Sequence, residues 1–108
     1  MEVAFRTDRL RKCYEQHREG ERTWGRAVAR KYIERINILK RCATLQDVRS
    51  FRTLRLHKQA GEYEGQHALS LDERWRLHVT FEEEAPLSGS TGRRVLARIE
   101  EVSRHYGD

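Results

Sequence analysis

Long apolar runs are missing from this sequence. No stretch approaches the about 18 to 20 consecutive apolar residues of a membrane-spanning helix, and only 37% of the 108 residues are hydrophobic. From Met1 the chain passes through Arg6 straight into charged residues, without the apolar core of a signal peptide. A cytoplasmic protein with no membrane partner is the expectation. Proline is almost absent: the one copy, Pro86, lies in a short polar stretch and leaves the rest of the chain free for regular structure. Cysteine is nearly absent too. Cys13 and Cys42 lie apart with no Cys-x-x-Cys spacing, which argues against a zinc knuckle. Two reduced, partly buried thiols are expected. Neither an internal repeat nor a low-complexity tract is present.

Charge, by contrast, is abundant. Charged residues make up 36% of the chain, and Lys plus Arg total 22 against 17 for Asp plus Glu. The formal net charge is +5 and the pI about 9.6. Such an excess suits a polyanionic partner, either nucleic acid or an acidic protein segment. The length suits a single domain, 1–108, with a thin core.

Hydrophobic periodicity orders the chain. Val3 and Phe5 alternate in a short first strand over Glu2–Arg6. Thr7 or Asp8 caps a helix running to about Arg18, with Leu10, Cys13, Tyr14 and His17 along one stripe. Gly20 is expected to break it. A longer helix follows from about Glu21 to Cys42, striped by Trp24, Val28, Tyr32, Ile36 and Leu39. Arg22, Arg26, Arg30 and Arg35 belong to its basic outer face, with Arg26 and Arg30 candidate contacts to RNA phosphates. Gly25 either permits close helix packing or marks the true helix start. Thr44 to Asp47 has the form of a capping box. Phe51 is expected to dock on the core, and Leu54 and Leu56 alternate with Arg55 and His57 as a second strand.

Two alternating segments, His67–Leu71 and Trp75–Phe81, flank the polar triplet from Asp72 to Arg74, the pattern of a β-hairpin. Trp75, Leu77, Val79 and Phe81 point one way, while Arg76, His78 and Thr80 point the other. The stretch from Glu82 to Gly92 reads as an acidic, then small and polar loop, expected to lie away from any RNA site. Val95–Val102 is the last strand. Helices grouped apart from a strand meander mean an α+β fold. An N-terminal strand and a two-helix hairpin pack on one face of a mainly antiparallel sheet of roughly four or five strands, leaving the other face free.

In this order the elements resemble the RelE/ParE superfamily of toxins, and within it the HigB-like, plasmid-maintenance-killer branch. Leu56-His57 followed by Gly61-x-x-x-Gly65, Leu69-Ser70-Leu71-x-x-x-Trp75-Arg76-Leu77-x-x-x-Phe81, and Ile99-Glu100-Glu101-Val102-x-x-His105 carry the match. The resemblance implies a RelE-like fold and a type II toxin that enters the ribosomal A site. There such a toxin cuts mRNA without a metal or other cofactor. It also implies a cognate HigA-like helix-turn-helix antitoxin as partner, with operator DNA bound only through that antitoxin. By position, His57 falls on the branch's strand-end histidine, Arg76 on its hairpin arginine and His105 on its late histidine; Lys58 and Arg104, off the family pattern, are candidates to add charge toward RNA, and Tyr106 to supply a stacking group one place late. Ala60 stands where the branch often has Lys, and Ser103 and Arg104 stand where it often has Asp and Tyr. His67 and His78 have no matching position.

These residue types suit RNA cleavage. Attack of a 2′-OH on the adjacent phosphorus needs a base, a cation for the charged phosphorane, and an acid for the leaving 5′-oxygen. Imidazole serves as acid or base near neutral pH. Guanidinium matches phosphate oxygens and stays charged. Arg76 is therefore expected as the clamp, with His57 and His105 as the acid/base pair. The alternative is a non-nucleolytic, ParE-like or degenerate module that binds a protein target such as gyrase, or only its antitoxin.

Overall fold

The computed structural model describes residues 1–84 and 94–104. Strand β1, Glu2–Phe5, leads into helix α1, Asp8–Glu15, whose start is capped by Thr7: its hydroxyl accepts from the Leu10 N–H at 3.2 Å. The next two helices differ from expectation. The chain breaks at Gln16 and again at Gly25, giving α2, His17–Trp24, and α3, Arg26–Arg41. Gly25 has φ 86° and ψ 164°, a region open essentially to glycine, so it is the hinge and the true start of the long helix. Gly20 breaks nothing. It is buried inside α2, where a Cβ would lie 3.1 Å from the Ala29 Cβ, so its missing side chain lets α2 and α3 approach closely. His17, now at the start of α2, is exposed rather than packed.

Helix α3 supplies most of the helical side of the core, through Val28, Tyr32, Ile36 and Leu39. The Tyr32 hydroxyl donates to the Leu10 carbonyl at 2.7 Å and ties α3 to α1. Arg35 is not on the outer basic face. It is buried, with Nε donating to the Ser70 carbonyl at 3.1 Å and Nη1 paired with Glu34 at 3.0 Å. Cys13 and Cys42 are free and buried, and burial pushes both thiols up from their ordinary pKa.

The Thr44–Asp47 capping box forms as the sequence suggests and opens α4, Leu45–Ser50. The strand expected from Leu54 does not form. A 3-10 turn, Arg52–Leu54, carries Leu54 fully into the core, Arg55 takes a left-handed conformation, and strand β2 is only His57–Lys58. With Val48 and Leu54 filling that part of the core, Phe51 is left 40% exposed rather than docked.

The remaining strands are β3, His67–Ser70, β4, Trp75–Glu84, and β5, Arg94–Arg104. The sheet order is β1-β5-β4-β3-β2, with β1 parallel to β5 and the other pairs antiparallel. The β3–β4 turn is set by Asp72, whose Oδ1 accepts from the N–H groups of Arg74 and Trp75 at 2.8 and 2.7 Å. Glu82–Glu84 belong to β4, not to a loop, because they pair with Arg94–Leu96; residues 85–92 of the expected loop lie outside the described residues. His78 pairs with Glu101 but Val79 with Ile99, so Glu100 is an extra residue that bulges β5. The Glu100 carboxylate accepts from Thr80 Oγ1 at 2.8 Å, and its carbonyl accepts from Arg6 Nε at 2.8 Å, which pins the end of β1 to the bulge.

One face of the sheet, through Leu69, Leu77, Val79, Ala97 and Ile99, joins the helices in the core. Trp24 and Trp75 pack against that core as expected. The α+β arrangement with helices on one face therefore holds, and the opposite face is only partly open: Ala68 and His78 on it are buried, whereas His57 and Lys58 of β2 are exposed. Among the described residues no helix is long and apolar enough to cross a membrane.

Candidate active site

Register alone gathers polar groups on the open face. His57 pairs with Ala68, Ala68 with His78, and His78 with Glu101, so these residues form one row across β2, β3, β4 and β5. In the next row Ser70 pairs with Arg76 and Arg76 with Ser103. Between the rows opens a cleft of about 290 Å³ lined by His57, Gln59, Tyr63, Arg76, His78, Ser103 and Arg104.

His57 sits at the exposed rim. Its Nδ1 lies 2.8 Å from the Arg55 carbonyl. A carbonyl can only accept, so Nδ1 carries the proton and Nε2 is the nitrogen available to a ligand. Arg76 is half-buried and braced from behind. Its Nη1 donates to the carbonyls of Asp72 at 2.8 Å and Trp75 at 3.1 Å, both neutral partners. Among the described residues no carboxylate pairs with it, so its charge is available for an anion.

Sequence reasoning gave no role to Tyr63 or Glu101, and it placed His78 on the face of Arg76 without assigning it to the site. His78 is buried on the floor of the cleft, with Nε2 2.7 Å from Ser103 Oγ and Nδ1 without a partner. Burial lowers its pKa; Glu101 acts against that shift and His57 with it. The ring of Tyr63 stacks on His78 at 4.5 Å between centroids and 27° between planes. The neighbouring Glu101 carboxylate raises the pKa of the Tyr63 phenol. Tyr63 arrives there because the 3-10 turn Gly61–Tyr63 folds back over β4, with Gly61 and Gly65 on either side at φ 66° and 93°. For His78 the signal was the two-residue period that places it on the face of Arg76. For Tyr63 the only signal was an aromatic bracketed by two glycines.

The other expected site residues are scattered. Lys58 follows His57 on β2 and is exposed; Arg104, also exposed, lines the cleft from the end of β5. Arg26 and Arg30 are exposed on the helical layer, beside a groove with His17, Glu21, Ala29 and Ile33, and the sheet separates them from the cleft. His105 and Tyr106 lie outside the described residues. Chemically the cleft offers the free Nε2 of His57, the guanidinium groups of Arg76 and Arg104, a buried imidazole–hydroxyl pair and a stacked phenol, a set suited to holding a phosphodiester.

No protein-family model matches the chain, and no curated protein matches it by sequence. A solved structure does match in three dimensions: the YoeB/ParE toxin from Agrobacterium tumefaciens, with a TM-score of 0.54 over 98% of this chain and 100% of that one, at 16% sequence identity. At that identity the likeness is one of fold: the chain has the RelE-like α+β fold of that toxin.

Proposed function

We propose that this chain is the toxin of a type II toxin–antitoxin system, a HigB-like endoribonuclease that cuts mRNA in the ribosomal A site. The observation that carries the reading is the convergence of His57 Nε2 and the uncompensated Arg76 guanidinium on one open-face cleft. The fold shared with a YoeB/ParE toxin supports it. In this reading His57 Nε2 removes the proton of the 2′-OH. The oxygen attacks phosphorus, and Arg76 neutralises the charge that builds on the phosphorane oxygens. His105 is retained as the acid for the leaving 5′-oxygen, on the sequence resemblance alone. Acid, base and cation all come from side chains, so cutting persists in a chelator of divalent metals on ribosomes washed free of other nucleases. The toxin is one cytoplasmic domain, held in check by a HigA-like helix-turn-helix antitoxin through which the pair reaches operator DNA.

The test is primer extension on mRNA from cells expressing the chain, with and without a translation inhibitor. Cuts inside translated codons that vanish when translation stops support the reading. A second reading is favoured by the stacking of Tyr63 on His78, which fills part of the cleft with the protein's own ring, and by Ala60 in place of the branch's lysine. In it the chain is non-nucleolytic and ParE-like, acting on a protein target such as gyrase. Intact mRNA accompanied by DNA damage identifies that case.

A further inference from the structure

Around His57 the chain carries a cation at every third residue: Arg49, Arg52, Arg55 and Lys58. All four are exposed, and among the described residues none has a side-chain hydrogen bond or ion pair. This sets them apart from Arg11 and Lys12 on α1, which pair with Asp8 and Glu15. From Val48 to Gly61 no acidic residue occurs, and the preceding Asp47 spends its carboxylate on the Ala43 and Thr44 N–H groups. Nothing local therefore neutralises the run.

In the middle of these charges lies Phe51, the exposed large hydrophobic side chain of the described chain. The segment is a fixed ridge, because Val48 and Leu54 anchor it with no exposure at all. Arg52 opens the 3-10 turn and Arg55 closes it in a left-handed conformation, with the Arg55 N–H donating to the Arg52 carbonyl at 3.1 Å, so the two residues are held as close neighbours. The ridge is joined to the cleft through the Arg55 carbonyl, which accepts from His57 Nδ1. Its charges also gather in space: Arg49, Lys58 and His57 all act on the half-buried His67 of β3 and, after burial, help to lower its pKa.

A flat apolar ring among uncompensated cations fits a polyanion that presents π faces. Single-stranded RNA meets both demands, since its bases stack on aromatics and its phosphates pair with guanidinium. We infer that the Arg49–Lys58 ridge is a binding track for the RNA strand running into the cleft, with Phe51 stacking on one base and Arg52 and Arg55 holding adjacent phosphates. The inference rests on the reading of RNA as the ligand of the cleft. It adds binding remote from the scissile bond, which orients the strand on Arg76 and His57.

The probe is a short unstructured RNA, fluorescently labelled and 2′-O-methylated throughout so that it cannot be cut. Its binding to the full chain is followed by anisotropy between about 50 and 200 mM salt. Joint Arg52→Gln and Arg55→Gln substitution is expected to reduce the slope of log affinity against log salt by about 1.4, at about 0.7 per lost single-strand contact. Phe51→Ala is expected to weaken binding about 5- to 150-fold with the slope unchanged, and Phe51→Trp to retain it. Thermal melts of each variant check the fold, and unchanged midpoints are expected because the substituted side chains are exposed. Absence of binding by the unsubstituted chain overturns the inference, as does unsubstituted affinity and slope in all variants; the ridge then serves a protein partner. Binding of the probe without cutting of translated mRNA keeps the track and removes the nuclease reading. Cutting that survives with no effect of ridge variants on either binding or cutting does the reverse.

Discussion

At the scale of single residues, His57 and Arg76 are held by carbonyl oxygens rather than carboxylates. That difference governs what substitution should do. A carbonyl orients the His57 ring through Nδ1 and leaves Nε2 free, and it braces the Arg76 guanidinium without neutralising it, so that charge stays available to substrate. His57→Asn can keep an N–H toward the Arg55 carbonyl but has no counterpart of Nε2. Single-turnover cleavage on programmed ribosomes should fall about 10²- to 10⁴-fold, with stability within about 0.5 kcal/mol because the side chain is exposed. Undiminished cleavage by this variant removes His57 as the base. Arg76→Ala should cost about 10²- to 10³-fold in the same assay. Arg76→Lys should recover only part of the loss, since the ammonium keeps the charge and loses the fork. Arg76 was legible because period-two alternation assigns its face from neighbours in sequence. Tyr63 was not, because its contact with His78 spans the chain reversal around Gly65, which no local periodicity records.

At the scale of elements, two glycines divide the roles of break and close contact: Gly25 marks the start of the long helix, one of the two roles its position allows, and Gly20, expected as a break, makes the close contact instead. Gly25 is required by backbone conformation and has open space around it: at φ 86° and ψ 164° only glycine is unstrained, and no atom lies within 4 Å of an added Cβ. Gly25→Ala is therefore expected to lower stability by about 1–3 kcal/mol through the backbone alone. Gly20 has the reverse constraint. Its helical backbone accepts any residue, but Ala29 stands 3.1 Å from the added Cβ. Gly20→Val should destabilise by about 1–3 kcal/mol through overpacking at the α2–α3 contact. Urea unfolding of each variant measures both costs, and unchanged midpoints contradict the assignments. A glycine in a helical run signals either a break or a close approach, and one-dimensional pattern does not separate the two. The β3–β4 hairpin was legible because Asp72 makes its turn from local hydrogen bonds. The region after α4 was not, because Leu54 reaches the core from a 3-10 turn and not from a pleat.

At the scale of the molecule, burial of two imidazoles makes stability depend on pH. Both ring nitrogens of His67 and Nδ1 of His78 are buried without partners, and both residues have lowered pKa, chiefly from burial. Arg49, Lys58 and His57 deepen the shift at His67, whereas Glu101 opposes it at His78. In the unfolded chain each titrates near about 6.5. As pH falls through that value, the unfolded state takes up protons that the folded state refuses, and stability drops. Asp8 and Asp47, lowered by their hydrogen bonds, contribute stability that is lost only in more acidic solution, below their ordinary 3.8. Urea midpoints should therefore fall between about pH 7 and 5, and a His67→Leu, His78→Gln double variant should be nearly flat over that range. A flat profile in the unsubstituted chain contradicts this account.

Periodicity and local capping settled the elements that depend on near neighbours: the helical stripes, the α1 and α4 caps, the hairpin and the α+β class. They also placed Arg76 and His78 on one strand face. Side-chain spacing within one element is a local property, and it survives whatever the rest of the chain does. Tertiary structure decided everything that joins distant segments. It put His57 in a row with His78 and Glu101, laid Tyr63 over that row, buried Arg35 against Ser70 and left Phe51 exposed among cations. Strand order and register decide these, and they are set by the packing of the whole core.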